Sequence, residues 1–370
     1  MKVALITLHA IKNYGSVLQT LATQEIFKEY GCDVKLINYI REDSLDKNLL
    51  HTWGGSNPVK QAAMLPTLIK WKSVFNDFVA QNFDLTDHVY TYPEDFKRYP
   101  IEADIYCTGS DQVWNTGWNG GIIKSLFLDF VPDDKFRFAY AASFGKKTLS
   151  EAEVSETRDL IEKYNFISVR EDYAKTMLQD YYGYKDAVHV LDPTLAYDGD
   201  FWRKYAPKSK IKGDYILIYN LNRSKEFDKY AVELSKKTGL PIYFLCRRYD
   251  QFARPGKSIL VPEVFEFITL IDNAKYVLTD SFHATAFSLN LNTEPICIYP
   301  NEYGGRLESV LRMTDSLQRH VNNYQDFDVV NRHVDFEKVN SIFAEQRKKT
   351  RDFLDEVFEA YQTQASKTKI

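Results

Sequence analysis

Residues 3–40 carry the sequence VALITLHAIKNYGSVLQTLATQEIFKEYGCDVKLINYI, and this short segment sets the architecture. Its first apolar run, Val3–Leu8, has the length and composition of a buried strand. Tyr14–Tyr30 follows with apolar side chains at helical spacing, and Gly31 is placed to end that helix. A second apolar run, Val34–Ile40, predicts the next strand. A strand, a helix and a strand in this order are typical of a parallel sheet.

The same alternation continues along the rest of the chain. Further apolar runs predict strands at Ala103–Thr108, Arg137–Ala142, Phe166–Val169, Ala187–Leu191, Tyr215–Tyr219, Pro241–Cys246, Tyr276–Leu278 and Pro295–Ile298. Segments with helical periodicity predict helices at Leu149–Tyr164, Asp172–Tyr182, Lys225–Thr238, Val264–Ala274, about His283–Leu289 and about Phe336–Tyr361. Uniformly apolar strands separated by helices indicate parallel sheets covered on both faces. We therefore predict an α/β protein with two Rossmann-like domains whose sheets face each other across a cleft.

The polar stretch Lys204–Gly213 is the expected junction between the two domains. We expect an N-terminal domain over 1–203, with an aromatic-rich insertion at about 41–98 packed on its sheet. The C-terminal domain is expected over 213–335. The amphipathic helix in 336–370 is expected to pack back across the junction. Its basic run Arg347, Lys348, Lys349 and Arg351 predicts a solvated face, with an anionic membrane surface as the alternative partner.

Composition excludes several classes of protein. The chain has 370 residues with a formal net charge of −4, which argues against a dedicated nucleic-acid binder. No secretory or membrane-spanning segment is predicted, so contact with a membrane is expected to be peripheral at most. The four cysteines form no CxxC pair and mostly lie in or beside apolar runs. A reduced, cytoplasmic protein is expected, with the inner face of the membrane as the alternative location.

The sharpest group of polar residues is Thr279–His283, directly after a predicted strand. Ligands of open α/β sheets bind at the carboxyl ends of strands. Ser281 is a good N-cap, and the helix that it starts offers its N-terminus to a phosphate or carboxylate. The same helix end disfavours imidazolium, so His283 is expected to be neutral and able to exchange a proton. The alternative is a buried structural histidine.

Two arginines follow strands in places suited to clamp an anion. Arg223 lies between a predicted strand and a helix, and Arg306 follows the glycine turn Tyr303-Gly304-Gly305. The Gly-x-Gly-x-x-Gly and Walker patterns of tightly bound dinucleotides and nucleoside triphosphates are absent, so no cofactor is predicted. No histidine or acidic pattern predicts a metal site.

An ordered set of motifs resembles the polysaccharide pyruvyl transferase family. The set comprises Asn13-Tyr14-Gly15-Ser16-Val17-Leu18-Gln19, Gly109-Ser110-Asp111-Gln112-Val113-Trp114-Asn115, Ala141-Ala142-Ser143-Phe144-Gly145, Ser168-Val169-Arg170-Glu171, Leu191-Asp192-Pro193-Thr194 and Thr279-Asp280-Ser281-Phe282-His283. Together the motifs span about residues 1–310 in the order of the family. At the last motif some members have an arginine where this chain has Ser281, so a donor clamp is expected from elsewhere. Many members also have glycine where this chain has Ala284.

The resemblance implies a GT-B-like fold and transfer of pyruvate from phosphoenolpyruvate to a sugar as a cyclic ketal, with release of phosphate. It implies that His283 acts as general acid/base, while Arg223, Arg306 and the helix end at Ser281 hold the donor. The N-terminal domain would hold the acceptor, a saccharide that is either free or carried by a nucleotide or lipid. The acceptor residues implied are Asn13, Tyr14, Gln19, Asp111 and Trp114, the last by stacking its indole on a sugar. Two alternatives stay open: a GT-B glycosyltransferase with a nucleotide-sugar donor, and a non-catalytic saccharide-binding protein.

Overall fold

The computed structural model of the chain describes residues 1–368. Its strands are β1 Lys2–Ile6, β2 Asp33–Leu36, β3 Ile105–Thr108, β4 Phe136–Ala142, β5 Phe166–Val169, β6 Val188–His189, β7 Ile216–Tyr219, β8 Ile242–Cys246, β9 Lys257–Leu260, β10 Tyr276–Thr279 and β11 Glu294–Cys297. Its helices are α1 Tyr14–Glu29, α2 Leu49–Gly54, α3 Pro58–Trp71, α4 Asp77–Asn82, α5 Pro93–Arg98, α6 Thr116–Asn119, α7 Glu151–Ile161, α8 Asp172–Tyr182, α9 Pro193–Ala196, α10 Gly199–Arg203, α11 Lys225–Thr238, α12 Val264–Asp272, α13 Phe282–Asn290, α14 Gly305–Met313 and α15 Phe336–Thr368.

The strands form two sheets in which all neighbouring strands are parallel. The first has six strands in the order β2-β1-β3-β4-β5-β6, and the second has five in the order β11-β10-β7-β8-β9. Each sheet is covered by helices because its strands are mostly apolar on both faces, as in β4, whose seven residues are all buried and include one charged residue, Arg137. The predicted α/β fold class with two Rossmann-like sheets is confirmed.

The chain divides into two compact units whose limits differ from the predicted domains. The first unit comprises Met1–Glu42, Val79–Ala196 and the chain from Ala344 onward, and the second comprises Asp43–Phe78 and Tyr197–Phe343. Residues 43–78, which are more than half of the predicted insertion, therefore lie in the second unit instead of on the first sheet. The physical reason lies in its contacts, since the Trp71 indole Nε1 donates to the Arg247 carbonyl at 2.7 Å.

The boundary near residue 197 also precedes the predicted junction at Lys204–Gly213. The segment just before that junction is bound to the second unit by polar and aromatic contacts. The Asn290 amide donates to the Tyr197 carbonyl at 2.9 Å, and the Trp202 and Phe287 rings lie 5.1 Å apart. Helix α10 therefore belongs with the second sheet, which shifts the boundary toward the N-terminus.

Helix α15 belongs to the first unit from Ala344 onward. Phe358 packs on Phe27 and Phe138, with ring centroids 5.8 and 6.0 Å apart. The basic run on this helix is partly engaged by the protein itself. Arg347 donates to the Leu195 carbonyl at 2.9 Å, and Arg351 lies 2.7 Å from the Glu29 carboxylate. These contacts account for Arg347 and Arg351 within the protein.

Candidate active site

Three neighbouring strands of the second sheet bring the predicted donor residues to one edge. Strand β10 lies between β7 and β11, and all three are parallel, so their carboxyl ends meet at the same edge. Arg223 follows β7, Ser281 and His283 follow β10, and Arg306 follows β11. The topology therefore places these four residues along one edge of the sheet, where open α/β proteins bind ligands.

Asp280 joins two of these strand ends, and its role was not foreseen from the sequence. Its buried carboxylate accepts hydrogen bonds from the backbone N–H groups of Leu221 and Asn222 at 2.6 and 2.8 Å. The side-chain amides of Asn220 and Asn222 donate to it at 3.1 and 3.0 Å. Burial raises the pKa of Asp280, while the backbone N–H groups oppose the rise. Asp280 thus holds the loop that carries Arg223 against the end of β10.

Ser281 caps helix α13 as predicted, because its hydroxyl accepts a hydrogen bond from the Ala284 N–H at 3.4 Å. His283 lies in the first turn of the helix and is 5% exposed. The Phe282 ring stands edge-on to the imidazole, with centroids 5.2 Å apart. The imidazole is therefore held by packing in the first turn of the helix, beside its positive end.

The two predicted arginines differ in their surroundings. The Arg223 side chain is 59% exposed, and its Nε lies 3.4 Å from the Asp228 carboxylate, a contact that exposure to water makes weak. Arg306 does not lie in a turn, because α14 begins at Gly305 and places it in the first helical turn. Its Nε donates to the Tyr303 carbonyl at 3.3 Å.

A further arginine near this edge was missed in the sequence. Arg254 lies between β8 and β9, is 4% exposed, and stacks its guanidinium over the Phe244 ring at 4.1 Å. Within residues 1–368, none of its three guanidinium nitrogens has a hydrogen-bond partner. Burial lowers the pKa of Arg254, Asp228 opposes this effect, and the positive charge of Arg223 lowers it further. The only sequence signal was an arginine before the turn-forming Pro255-Gly256.

The first sheet has a buried ionic cluster at the carboxyl ends of its strands. Arg170 is fully buried and pairs with Glu171 at 3.0 Å and Asp192 at 2.8 Å, while Asp111 lies 3.8 Å away. Burial by itself lowers the pKa of Arg170, yet these carboxylates raise it above its usual range. Ser143 donates a hydrogen bond to Glu171 at 2.8 Å. One cation thus holds three carboxylates together in a site with little access to water.

Asp111 has the most unusual backbone of this cluster. Its φ is +75°, in the left-handed region that costs a residue with a Cβ some energy. The conformation persists because its carboxylate accepts hydrogen bonds from the Ser16 hydroxyl at 2.6 Å and the Gln112 N–H at 2.9 Å. Backbone strain of this kind is common at functional sites. Here the strained conformation directs the Asp111 carboxylate toward Ser16 at the start of α1.

The structure corrects the predicted acceptor role of Trp114. Its side chain is 1% exposed and stacks on Phe127 with centroids 5.3 Å apart, while Phe144 and Tyr164 pack around it. The indole Nε1 donates to the Leu126 carbonyl at 3.2 Å. Both indole faces are therefore occupied by the core, and neither is open to a sugar.

Two other predicted acceptor residues are also buried. Tyr14 and Gln19 are both 0% exposed, because nearly the whole circumference of α1 is covered. The Gln19 amide donates to the Thr7 hydroxyl at 3.0 Å. Asn13 is partly exposed and caps α1 by accepting from the Gly15 N–H at 2.9 Å. Asn13 and Asp111 are thus the predicted acceptor residues that lie at the strand ends without being part of the apolar core.

His9 follows β1 and is 1% exposed, and we expect it to make stability depend on pH. Burial lowers its pKa to about 4, although the Thr7 carbonyl and Asn38 oppose the shift. The unfolded chain takes up this proton near pH 6.5, whereas the folded protein does so only near pH 4, so acidification favours unfolding between these values. The loss of unfolding free energy over this window is about 3 kcal/mol, from about 1.4 kcal/mol per pKa unit.

Urea unfolding at pH 7 and pH 4.5 measures this effect. The His9→Gln variant is expected to lose less unfolding free energy between the two pH values than the wild type. His88→Gln serves as the control, since His88 is exposed. If the unfolding free energies of the wild type and His9→Gln changed equally between the two pH values, the pKa of His9 would be the same in the folded and the unfolded chain.

Residues 1–368 contain neither a metal-binding cluster nor a membrane-spanning helix. Within that range, no group of three or more His, Cys, Asp or Glu side chains is arranged to hold a metal ion. Over the same residues, no helix combines the length and apolarity needed to cross a membrane. All four cysteines are buried and unlinked.

Solved structures with a similar fold share little sequence with this chain. UGT89C1 from Arabidopsis thaliana is 10% identical with a TM-score of 0.53, over 97% of this chain and 99% of that protein. UDP-N-acetylglucosamine 2-epimerase from Rickettsia bellii is 12% identical with a TM-score of 0.52, over 98% of each chain. The UDP complex of MnaA from S. aureus is 10% identical with a TM-score of 0.51, over 93% of this chain and 90% of that one. These likenesses confirm the GT-B-like fold.

Sequence comparison identifies the family. No curated protein matches the chain. The sequence model described as "Polysaccharide pyruvyl transferase" matches residues 13–302, which include each of the motifs at the strand ends described above. The match covers most of the chain and supports a transferase that acts in polysaccharide pyruvylation. The chain therefore belongs to the polysaccharide pyruvyl transferase family.

Proposed function

We propose that the protein transfers the enolpyruvyl group of phosphoenolpyruvate to two hydroxyls of a sugar, forming a cyclic ketal in surface-polysaccharide biosynthesis. The reaction begins with protonation of the enol methylene, which leaves a cationic carbon that one sugar hydroxyl attacks. The second hydroxyl then displaces phosphate. Two protons leave the sugar hydroxyls; one replaces the proton taken up by the methylene, and the other departs with phosphate.

The observation that supports the proposal is that Arg223, His283 and Arg306 follow three neighbouring parallel strands, β7, β10 and β11, in a chain of this family. His283 supplies the proton to the methylene and accepts one from the attacking hydroxyl. The arginines hold the carboxylate and the phosphate, whose charge grows as the bond to carbon breaks. Ser281 contributes by starting the helix whose positive end faces this edge.

The contact between Asp280 and the Arg223 loop supports the same assignment. A donor clamp must keep its geometry while the phosphate leaves. Asp280 fixes the loop backbone through Leu221 and Asn222, so the exposed guanidinium of Arg223 extends from a rigid base. Arg223 can therefore serve as the clamp on the donor, in a chain that has Ser281 where some relatives have an arginine.

On the acceptor side, we assign Asp111 and Asn13. Asp111 is held in position by Ser16, and Arg170 lies close to its carboxylate. A carboxylate held in this way can accept a hydrogen bond from a sugar hydroxyl and thereby orient it for attack. The acceptor is a saccharide, in free or carrier-linked form.

Ligand-dependent stability tests the donor. At a hundred times its Kd, phosphoenolpyruvate is expected to raise the unfolding free energy by about 2.7 kcal/mol, seen as a higher Tm. UDP-sugars are expected to produce no shift. Arg223→Gln is expected to weaken the response to phosphoenolpyruvate, and Arg312→Gln is the control because its partner Glu308 lies on the same exposed helix turn.

A phosphate-release assay with phosphoenolpyruvate and a panel of saccharides then tests turnover. Stabilisation by a UDP-sugar and not by phosphoenolpyruvate would replace the proposal with a nucleotide-sugar transferase. Binding of saccharides without phosphate release under any condition would indicate a saccharide-binding protein.

A further inference from the structure

Trp118 is an exposed tryptophan in the segment that follows β3. It lies on α6 and is 37% exposed, whereas Trp114, earlier in the same segment, is 1% exposed and packs against three aromatic rings. Within residues 1–368, no aromatic ring packs against the Trp118 indole. The segment therefore has one indole in the core and one that faces solvent, and the second is open to a ligand.

Hydrogen bonds hold α6, and Trp118 with it, against the preceding residues. The Trp118 N–H donates to the side-chain oxygen of Asn115 at 3.1 Å, and Asn115 is fully buried. The Asn119 amide donates to the carbonyls of Gln112 and Val113, both at 3.1 Å. The backbone that carries the exposed indole is thus tied to buried parts of the same segment, so the indole extends from a fixed base.

Arg41 lies over this indole and comes from the segment that follows β2. Its guanidinium carbon is 5.0 Å from the ring centroid, and its Nη1 donates to the Asn119 side-chain oxygen at 3.0 Å. Strand β1 lies between β2 and β3 in the sheet. A contact between the segments after β2 and β3 therefore spans the carboxyl end of β1, and the loop that follows β1 leads to Asn13.

The residues assigned to the acceptor above lie in the segments after β1 and β3. Asp111 belongs to the segment after β3, and its carboxylate accepts a hydrogen bond from the Ser16 hydroxyl at 2.6 Å. The Thr7 hydroxyl, directly after β1, donates to the Ser110 carbonyl at 2.8 Å. These hydrogen bonds join the two segments at the carboxyl edge of the first sheet, which is the edge at which open α/β sheets bind ligands.

An exposed indole beside polar side chains suits a saccharide. A pyranose ring presents C–H groups that pack on an aromatic ring, and its hydroxyls need hydrogen-bond partners around it. Exposure alone does not identify such a site, because Trp53 is also 37% exposed and lies under Arg248 at 5.3 Å. Trp53, however, stands edge-on to Trp71 on α2, away from the strand ends of the first sheet. Its position at the sheet edge is what distinguishes Trp118.

We propose that Trp118 is the aromatic platform for the acceptor. The acceptor is a hexopyranoside whose ring stacks on the indole, with the hydroxyls that receive pyruvate directed toward Asn13 and Asp111. This inference rests on the proposed function, which requires a saccharide on the first unit, and it adds the residue that binds the sugar ring. Trp118 thus takes the stacking role that the sequence predicted for Trp114.

Saturation-transfer NMR of the full-length protein tests the platform, with the methyl glycosides of β-D-galactopyranose, β-D-glucopyranose and α-D-mannopyranose as probes. The wild type is expected to bind at least one of them through its ring C–H protons. Trp118→Ala is expected to weaken that binding about tenfold, whereas Trp118→Phe keeps an aromatic ring and should lose much less. In the phosphate-release assay, Trp118→Ala should raise the acceptor KM about tenfold and change kcat little. Its stabilisation by phosphoenolpyruvate should stay at the wild-type level, because the donor residues lie on the second unit.

The matched control is Trp53→Ala, which removes a tryptophan of the same exposure that also lies under an arginine. It is expected to bind the glycosides as the wild type does, and thermal unfolding checks that all variants are folded. Wild-type affinity in Trp118→Ala would overturn the platform, and so would a wild type that binds none of the glycosides.

The platform and the proposed reaction can fail separately. If Trp118→Ala loses saccharide binding but the wild type releases no phosphate from phosphoenolpyruvate, the platform stands and the reaction does not. If the wild type releases phosphate and Trp118→Ala does so with an unchanged acceptor KM, the reaction stands and the platform does not.

Discussion

Replacing His283 by glutamine is expected to lower the rate of phosphate release from phosphoenolpyruvate about 10²–10⁴-fold. Glutamine can keep hydrogen bonds within the first turn of α13, but it cannot deliver a proton to the methylene carbon. The donor should still bind, because the arginines and not the imidazole hold its charges. We therefore expect a large fall in kcat and a small change in the stabilisation by phosphoenolpyruvate.

The control for this variant is His333→Gln, in the same unit. His333 is 66% exposed and lies 3.2 Å from Glu294, so its replacement should leave turnover unchanged. Thermal unfolding of both variants separates chemistry from folding. Turnover of His283→Gln close to that of the wild type would make His283 a structural residue and would remove the general acid from the proposed mechanism.

Replacing Arg170 by methionine is expected to lower the unfolding free energy by about 3–5 kcal/mol. The change leaves the carboxylates of Glu171 and Asp192 buried without the cation that now lies within 3.0 Å of each of them. The methionine stem can fill much of the same space, so the loss arises from uncompensated charge and only in small part from packing. Urea unfolding followed by circular dichroism measures this loss.

The matched control for Arg170 is Lys163→Met in the same unit. Lys163 lies 2.8 Å from Asp133, but this pair is exposed, so its loss should cost about 0–1 kcal/mol. The penalty of Arg170→Met should also shrink at low pH, because protonation neutralises the carboxylates that the variant leaves buried without a cation. An Arg170→Met variant as stable as Lys163→Met would show that the cluster does not depend on its cation.

The local pattern of polar and apolar residues was enough to predict most of the helices and strands. The sequence predicted helices α8 and α11 with their observed limits, because each has a polar start and an apolar stripe. Strand β9 was missed, since Lys257–Leu260 is short and only partly buried at the edge of its sheet. Helix α14 was missed because Gly304 precedes it and Gly305 is its first residue, and this pair of glycines predicted a turn.

The residues of the candidate site also divide into those that the local sequence revealed and those that it did not. His283 was found because helix-start residues follow a strand, a signal contained within five consecutive residues. Trp114 follows a strand in the same way, yet its indole turns back into the core between Phe127 and Phe144. Arg254 gave no such signal, because its importance comes from burial beside Phe244. Asp280 lies within those five residues, but its role comes from contacts with the Asn220–Asn222 loop, which the sequence did not reveal.

The sequence by itself determined the alternation of strands and helices, and with it the edge of each sheet at which polar residues collect. Those features depend on backbone periodicity and on residues a few positions apart. Only the tertiary structure decided which polar residues are buried, which aromatics belong to the core, and that residues 43–78 join the second unit. These outcomes depend on contacts such as that between Trp71 and Arg247, which lie 176 residues apart in the chain. No local pattern encodes such a pairing, because burial is a property of the assembled surfaces.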